Sequence, residues 1–372
     1  MKIRAAVLEE MGRDAPYAST HPLRVAELDL DGPGPREVLI RLEAAGICHS
    51  DLSVVNGSRP RPVPMALGHE AAGRVVQVGE GVTSVAVGQR VVTTFLPRCG
   101  KCAGCKTNGH LPCKPGSVAN NAGTLLSGAI RLHRDGMPVL HHMGVSGFAT
   151  HAVLDERSIV AVPDSVPAHV AAVLGCAVLT GGGAVLNEGH PVDGDDIIVV
   201  GLGGVGMAAL ITARAVTSGR VIGVDGIDSK LVYASELGAD AVYTPEEAAR
   251  EGIRAPIVIE AAGHPKALET AFALTAPGGR TITVGLPDGQ ARSSISPLLM
   301  TAEARTIVGC YLGSAVPSRD IPTYAQMWLE GKLAVEKLIS SHIPLAEINE
   351  GMDALADGHA LRQIIDLGAE AA

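Results

Sequence analysis

The chain has 372 residues, a length that favours two domains over one ordinary core. Apolar residues make up 47% of the chain and aromatic residues only 2%, so we expect a large core built from aliphatic side chains. The formal net charge of −9 provides no basic surface for nucleic acid or anionic lipid, and we predict neither as a partner.

The distribution of charges and cysteines indicates the compartment. Charges at positions 2, 4, 9 and 10 interrupt any signal-peptide core. Two uncharged runs, 170–186 and 197–213, contain glycines, whereas a spanning helix needs about 20 apolar residues without such breaks. Seven cysteines, an odd number, argue against a disulfide framework and for metal or redox use. We therefore interpret both runs as buried segments and expect a cytoplasmic protein.

Residues 1 to about 45 are predicted to form short β-strands, and the first candidate site follows them. A thiol at Cys48 and an imidazole at His69 stand 21 positions apart, so they meet on one metal ion only if the chain folds back between them. Three prolines lie in this return: Pro60, Pro62 and Pro64. They favour extended or turning backbone over helix. Short strands with glycine turns then continue to about residue 92 and predict a compact β-rich domain.

Four thiols follow within 15 residues: Cys99, Cys102, Cys105 and Cys113. A structural Zn²⁺ takes four tetrahedral ligands, and a short loop can wrap around it. Free thiols in a loop are improbable at this density. A zinc ribbon for nucleic acid is the other alternative, but its two CxxC pairs are usually separated by a longer loop. We interpret the segment as a structural zinc site.

From residue 195 the pattern changes to that of a nucleotide-binding unit. The buried strand 197–200 leads into a glycine-rich turn and then an apolar helix from Met207 to about Thr217. The turn reads Gly201, Leu202, Gly203, Gly204, Val205 and Gly206. Its glycines allow a tight turn and close approach of a pyrophosphate to the helix N-terminus. Asp225 ends the next strand, 19 residues after the last glycine, where it would bond the ribose hydroxyls and repel a 2′-phosphate. The predicted cofactor is therefore NAD rather than NADP.

Strands and helices continue to alternate after Asp225. Further strands are predicted at 241–243, 257–260, 281–284 and 306–309, with helices between them. The predicted fold class is α/β, with a doubly wound parallel sheet of six strands beside the β-rich domain. Cys176 lies just before the nucleotide-binding pattern. Two cysteines and one histidine are the ligand set of a catalytic zinc with an open fourth position, so Cys48, His69 and Cys176 form the candidate catalytic site.

Together these residues resemble the zinc-dependent medium-chain alcohol dehydrogenases over nearly the whole chain. The resemblance rests on six features: 46–51, 68–70, the four-cysteine segment, 174–176, 201–206 and Asp225. It implies a GroES-like catalytic domain at 1–177 with a structural zinc lobe at about 97–114. It further implies a Rossmann NAD-binding domain at 178–312 and a C-terminal segment at 313–372 that returns to the catalytic domain. Two zinc ions per chain and a homodimer or homotetramer are implied as well.

The resemblance also assigns roles near the catalytic zinc. Ser50 would bond the substrate oxygen and pass its proton outward, and Asp51 would orient His69. Glu70 would lie beside the metal as an occasional or indirect ligand. The alternatives are that Ser50 caps a helix starting at Asp51 and that Asp51 is an ordinary first-turn acid. Well-known members of the family carry a relay histidine where this chain has Ser53, so proton release would pass through water or His49.

Other positions match cofactor contacts of the family. The turn residues Gly201, Gly203, Gly204, Val205 and Gly206 would contact the pyrophosphate. His49 and Arg362 match phosphate contacts, with a solvated surface charge as the alternative for each, and Lys230 matches a contact to the adenosine ribose. Cys310 is predicted to be a buried small apolar residue. His141 and His142 are predicted to be a loop pair rather than ligands.

The implied substrate is a small molecule, a primary and possibly aromatic alcohol with its aldehyde. Five residues would line its pocket: Arg59, Phe95, Met143, Leu286 and Tyr311. Arg59 stands where the family often has an apolar side chain. The segment 317–322 looks like bacterial branches that include thiol-adduct formaldehyde dehydrogenases, which makes that reaction the first alternative. A non-catalytic protein that binds NAD and zinc is the alternative from another class.

Overall fold

A computed structural model describes residues 1–358 and 360–368. The chain forms two compact units. The first comprises Met1–Cys176, Val316–Leu329 and the described residues from Ile339 onward. The second comprises Ala177–Ala315 and Glu330–Leu338.

The described residues form 18 strands. In chain order they are β1 (Lys2–Leu8), β2 (Leu23–Leu30), β3 (Glu37–Ile47), β4 (Met65–Ala66), β5 (Glu70–Val78), β6 (Arg90–Thr93), β7 (Leu132–Arg134), β8 (Met137–His141), β9 (His151–Asp155), β10 (Ile159–Ala161), β11 (Ile197–Val200), β12 (Val221–Val224), β13 (Ala241–Tyr243), β14 (Ala255–Glu260), β15 (Thr275–Thr283), β16 (Thr306–Gly309), β17 (Ser341–Ile343) and β18 (Gln363–Asp366).

The same residues form 12 α-helices. They are α1 (Tyr17–Thr20), α2 (His49–Val55), α3 (Lys114–Ala122), α4 (Ala168–Val173), α5 (Leu179–Gly183), α6 (Gly204–Val216), α7 (Asp228–Glu236), α8 (Pro245–Arg250), α9 (Pro265–Ala273), α10 (Pro297–Ala302), α11 (Pro317–Leu329) and α12 (Ile348–Ala356). A π-helical turn, Leu174–Val178, joins α4 to α5.

The first unit contains a closed barrel and a larger sheet that is antiparallel except for the parallel pair β17 and β18. The barrel has the order β1-β2-β7-β8-β4, and the sheet has the order β10-β6-β5-β3-β18-β17 with β9 paired to β3. Its core is aliphatic apart from Tyr17 and Phe148, as the composition predicts. The C-terminal strand β18 pairs with β3, so the end of the chain completes the sheet that its beginning starts.

The second unit is built on one six-stranded parallel sheet with the order β13-β12-β11-β14-β15-β16. This is the strand order of the doubly wound dinucleotide-binding fold. All four residues of β11 are buried, which is typical of a parallel strand covered on both faces. The predicted β-rich domain and the predicted doubly wound parallel sheet are both confirmed.

One helical stretch among the described residues is long and apolar enough to cross a membrane. It runs from Ala168 to Gly189 and includes α4 and α5. Within its most apolar window, 89% of the residues are buried inside the protein, which is the position of a core helix. The prediction that the run 170–186 is a buried segment is therefore confirmed.

Candidate active site

Strand pairing in the first unit brings distant parts of the chain to one place. β3 runs antiparallel to β5 and to β18, with Gly46 opposite both Glu70 and Ile364. The end of β3 therefore lies beside the start of β5, and Cys48 follows at the N-terminus of α2. Cys176 reaches the same place from the π-helical turn after α4.

Gly46 allows this close approach. A Cβ atom at this position would lie 2.3 Å from Oε1 of Glu70 and 2.8 Å from its Cδ, well inside van der Waals contact. The Glu70 side chain is fully buried, so it has little room to withdraw. A glycine is therefore required opposite the carboxylate that the sheet register places here.

Four buried side chains offer ligand atoms that all lie within 4.8 Å of one another: Cys48, His69, Glu70 and Cys176. The sulfur of Cys176 is 3.4 Å from Nε2 of His69. Tetrahedral Zn–S and Zn–N bonds of ordinary length would separate such a pair by about 3.6 Å. The donor set therefore fits a zinc ion held by two thiolates and an imidazole, with the Glu70 carboxylate within reach.

The two thiols of this cluster differ in acidity. The neighbouring Cys176 thiol lowers the pKa of Cys48 well below its usual value, although burial opposes the shift. The same contact, together with burial, raises the pKa of Cys176. Two buried sulfurs this close resist carrying two negative charges, so ionisation of one thiol disfavours ionisation of the other. A bound cation would replace the thiol protons and stabilise both thiolates.

Asp51 supports the cluster from the first turn of α2. Its Oδ2 accepts the backbone N–H of Cys48 at 3.1 Å, and its Oδ1 lies 3.0 Å from Nδ1 of His69. Burial would raise the pKa of Asp51, but the imidazoles of His69 and His142 outweigh it and keep this pKa below its usual value. The helix begins at His49 with Cys48 as its cap, so the alternative of a Ser50 cap before Asp51 is wrong.

Glu70 and Arg362 form a buried pair beside the cluster. Nε of Arg362 lies 3.3 Å from Oε1 of Glu70, and Nη1 of Arg362 donates to the carbonyl of Ile47 at 2.9 Å. Burial raises the pKa of Glu70 to about 7 even though the Arg362 charge opposes the shift. Arg362 is only 2% exposed, so the alternative of a solvated charge at this position is wrong.

His142 was not predicted to belong to this site. His141 ends β8, His142 begins a short 3₁₀ turn, and both rings are buried, which differs from the expected loop pair. Nδ1 of His142 lies 3.2 Å from the Asp51 Oδ1 that also faces His69. Burial lowers the pKa of His142. The only sequence signal was that both histidines sit in an uncharged, mostly apolar run, 139–148, which indicates burial.

The remaining residues predicted near the zinc lie on α2. His49 is exposed and Ser50 is half-buried, one and two positions after the Cys48 ligand. The hydroxyl of Ser53 donates to the carbonyl of His49 at 2.7 Å. The Ser53 hydroxyl is thus engaged in a hydrogen bond within α2, to the carbonyl one turn before it.

The four-cysteine segment also gathers its donors. The sulfurs of Cys99, Cys102, Cys105 and Cys113 all lie within 4.8 Å of one another. The sulfurs of Cys99 and Cys105 are 3.8 Å apart, and those of Cys102 and Cys113 are 4.0 Å apart. Four tetrahedral Zn–S bonds of ordinary length would separate the sulfurs by about 3.8 Å. The donor set fits a closed structural zinc site.

In the second unit the glycine-rich turn joins β11 to α6. Gly201 has a φ of +91°, and a Cβ on Gly206 would lie 1.8 Å from the carbonyl oxygen of Gly201. A Cβ on Gly203 would meet no atom within 4 Å, so the outer side of the turn is open. Gly204 and Val205 form the first turn of α6, whose free N–H groups suit a phosphate.

Asp225 follows β12 beside this turn. Its Oδ2 accepts the N–H of Leu202 at 2.7 Å, and its Oδ1 accepts the N–H of Ile227 at 3.0 Å. These bonds hold the carboxylate at the end of the strand. Lys230 lies in the first turn of α7 and is half-buried.

The predicted substrate-pocket residues fall in both units. Phe95 and Met143 are buried in the first unit, and the Phe95 ring stands edge-on to the His69 ring with centroids 5.6 Å apart. Arg59 is half-buried in the same unit. Leu286 and Tyr311 are exposed residues of the second unit. Cys310 is buried, as predicted, and burial raises its pKa to about 12.

Comparisons with known proteins agree with this geometry. Residues 34–164 match the family model described as alcohol dehydrogenase GroES-like domain, and residues 204–330 match the one described as zinc-binding dehydrogenase. A candidate alcohol dehydrogenase D of Mycobacterium tuberculosis is 32% identical, covering 98% of this chain and 100% of the relative.

Two solved structures are also similar over nearly the whole chain. An alcohol dehydrogenase zinc-binding domain protein from Burkholderia ambifaria is 31% identical with a TM-score of 0.91. A benzyl alcohol dehydrogenase from Acinetobacter calcoaceticus is 28% identical with a TM-score of 0.89. Each alignment covers 98% of this chain and 99% of the other. The converging Cys48, His69 and Cys176, the parallel dinucleotide-binding sheet and these whole-length similarities show that the chain belongs to the zinc-containing medium-chain alcohol dehydrogenase family.

Proposed function

We propose that the protein is an NAD-dependent zinc alcohol dehydrogenase that interconverts primary alcohols, aromatic ones included, and their aldehydes. The observation that carries the proposal is the buried set of Cys48, His69 and Cys176, which offers two sulfurs and one imidazole nitrogen as zinc ligands. A structural site needs four closed ligands, whereas a catalytic site keeps one position for substrate. Similarity to a benzyl alcohol dehydrogenase supports the aromatic substrate class.

Cys48, His69 and Cys176 hold the catalytic zinc in this proposal, and the four-cysteine segment holds a second, structural zinc. When bound, a catalytic zinc supplies Lewis-acid chemistry, which acidifies a hydroxyl group and polarises a carbonyl group. Asp51 accepts from Nδ1 of His69 and so keeps the Nε2 lone pair free for the metal. Glu70 is an occasional or indirect ligand, held by Arg362.

Ser50 and His49 carry the proton in this proposal. Ser50 is half-buried on the first turn of α2, two residues from Cys48, and its hydroxyl would accept the substrate proton while passing its own to water or to His49. His49 is exposed and can release a proton to water. Ser53 cannot act as a base near neutral pH, because its hydroxyl pKa is far too high.

NAD rather than NADP is the proposed cofactor. The open outer side of the turn at Gly203 leaves room for a pyrophosphate at the N-terminus of α6, where Gly201, Gly204, Val205 and Gly206 are the other proposed contacts. The anchored Asp225 carboxylate suits the two ribose hydroxyls and repels a 2′-phosphate.

Two basic side chains complete the proposed cofactor site. His49 contributes at the phosphates and Lys230 at the adenosine ribose. Arg362 is also a predicted phosphate contact, but its burial against Glu70 favours a supporting role.

We further infer a cytoplasmic homodimer or homotetramer. The sheet of the second unit ends at β16, a partly exposed edge strand, and the preceding helix α10 exposes Leu298, Leu299 and Met300. An unpaired edge beside apolar side chains is suited to pairing with a second copy. All seven cysteines are unpaired, as in a reducing compartment. Sedimentation velocity tests the assembly, and a monomer at micromolar concentration would contradict it.

The thiol-adduct reaction has weaker support. Arg319, in the segment that suggested it, pairs with Asp320 and donates to Asn108 at 2.8 Å, within the first unit. These contacts give residues 317–322 a structural role, because they connect α11 to the four-cysteine segment.

Initial rates decide between the candidate functions. The panel contains aliphatic, aromatic and carboxylated alcohols with NAD or NADP, and formaldehyde with or without a thiol. The proposal expects NADH formation with aromatic primary alcohols and about two zinc per chain, one for each site. Activity only with thiol and formaldehyde would favour the alternative reaction. A protein with both zinc ions that reduces no NAD with any alcohol would favour the non-catalytic alternative.

The panel also tests Arg59 as a determinant of substrate charge. If Arg59 binds an acidic group, Arg59→Leu loses the preference for carboxylated over plain alcohols. An unchanged preference removes this role.

A further inference from the structure

His142 is the buried polar side chain whose position the proposed function leaves unexplained. It is fully buried, and its Nδ1 is 3.2 Å from Oδ1 of Asp51. This approach is not a formed hydrogen bond, and neither ring nitrogen has a hydrogen-bond partner among the described residues. The His142 and His69 rings stand at 89° with centroids 5.6 Å apart. Burying a polar ring in this way is unfavourable unless it serves the site beside it.

The backbone holds His142 firmly in this position. Its N–H donates to Oγ of Ser146 at 3.3 Å, and its carbonyl accepts from the N–H of Val145 at 3.0 Å. Met143, the next residue, has a φ of +51°, an uncommon conformation for a side chain of its size. The turn thus directs the His142 ring towards Asp51 rather than letting it find a partner elsewhere.

Three nitrogen-bearing groups therefore surround the Asp51 carboxylate. Oδ2 accepts from the backbone of Cys48, a zinc ligand, and Oδ1 faces the imidazoles of His69 and His142. The three ligand-capable groups Asp51, His69 and His142 lie within 4.8 Å of one another. His69 already belongs to the set with both cysteines. Asp51 and His142 are therefore better explained as groups that support this one metal site than as ligands of a second site.

We propose that His142 is a positioning residue for the catalytic zinc: it fixes the Asp51 carboxylate, which in turn aims Nε2 of His69 at the metal. This inference rests on the proposed function, because it assigns a supporting role at the same site. The Cys48 N–H holds Oδ2 of Asp51 and His69 faces Oδ1, and the buried His142 ring, packed against the same Oδ1, adds a further restraint on rotation of the carboxylate. Groups that orient a metal-bound histidine typically affect metal affinity or activity by about 10- to 100-fold.

The test compares three substitutions at residue 142. In His142→Asn the amide nitrogen stands near the place of Nδ1 and can still donate to Asp51. In His142→Gln the amide nitrogen stands near the place of Nε2, and in His142→Leu no donor remains. His141→Gln is the matched control, because His141 is equally buried and adjacent but accepts the N–H of Arg131 at Nε2 instead of facing Asp51.

Two readouts need neither substrate nor NAD. The first is the rate at which zinc is released to a chromogenic chelator. The kinetic phase that disappears in His69→Ala is assigned to the catalytic site. The absorption of Co²⁺ exchanged into that site reports the ligand geometry. We expect release from the catalytic site to be about tenfold faster in His142→Leu, within about threefold of the parent in His142→Asn, and unchanged in His141→Gln. The Co²⁺ band should shift in His142→Leu and return in His142→Asn.

Equal release rates in the parent and in His142→Leu would overturn the proposal. So would equal acceleration in His141→Gln, because that indicates general loosening of the core. If His142→Leu does not fold, the amide variants decide: slower release in His142→Asn than in His142→Gln supports the role, and equal rates refute it. A protein that shows the expected release pattern but oxidises no alcohol would refute the proposed function and leave the positioning role standing.

Discussion

Removing the Asp225 carboxylate tests the cofactor assignment most directly. The substitution Asp225→Ser removes the charge that is held at the end of β12 by the N–H groups of Leu202 and Ile227. A unit charge about 4 Å from another costs about 4 kcal/mol at an effective dielectric constant of 20. Asp225 is half-buried, so solvent screens part of this repulsion.

We therefore expect the parent to prefer NAD over NADP by about 100-fold, or about 2.7 kcal/mol. In Asp225→Ser the preference should fall to within about tenfold, because the 2′-phosphate is no longer repelled and the ribose hydroxyls lose a charged acceptor. The assay is kcat/KM for both cofactors with one alcohol. Asp228→Ser is the control, since it removes an equal charge three residues later, from the exposed first turn of α7. An unchanged NAD preference in Asp225→Ser, or an equal loss in Asp228→Ser, would refute the reasoning.

Three other predictions follow from buried or engaged side chains. Arg362→Met leaves the Glu70 carboxylate without its partner and should lower the free energy of unfolding by about 3–5 kcal/mol in chemical denaturation; adding Glu70→Gln should recover part of the loss. The Cys310 thiol, with a folded pKa of about 12 against 9.0 ordinarily, should resist thiol reagents at pH 8 until the protein unfolds. The contribution of the buried Cys310 thiol to the free energy of unfolding should be complete below pH 9 and disappear between about pH 9 and 12, because the unfolded thiol ionises first. Rapid labelling of the native protein would contradict both statements. Ser53→His places a group that titrates near neutral pH one turn after His49, so the pH profile of kcat should change, and an unchanged profile argues against a proton relay at this position.

The sequence by itself determined the architecture and the types of side chain that could bind metal. All six predicted strands of the second unit are present, because strict alternation of short apolar strands and helices leaves few alternatives to a parallel sheet. The glycine-rich turn before α6 could also be predicted, because the φ of +91° at Gly201 favours a residue without a side chain. The four-cysteine segment could be interpreted from spacing alone, because its donors lie within one short loop.

Only the tertiary structure decided how distant residues meet. Cys176 lies 107 positions from His69, and Arg362 lies 315 positions from the Ile47 carbonyl that it contacts. Such contacts depend on the register of β3 against β5 and β18, and a shift of one residue would turn these side chains to the opposite face of the sheet. The position of His142 could not be predicted for the same reason. Two histidines in a mostly apolar run predict burial, but they do not identify the Asp51 carboxylate that His142 faces. Local spacing specifies a turn or a small metal loop, whereas a site built from separate strands exists only once those strands are paired.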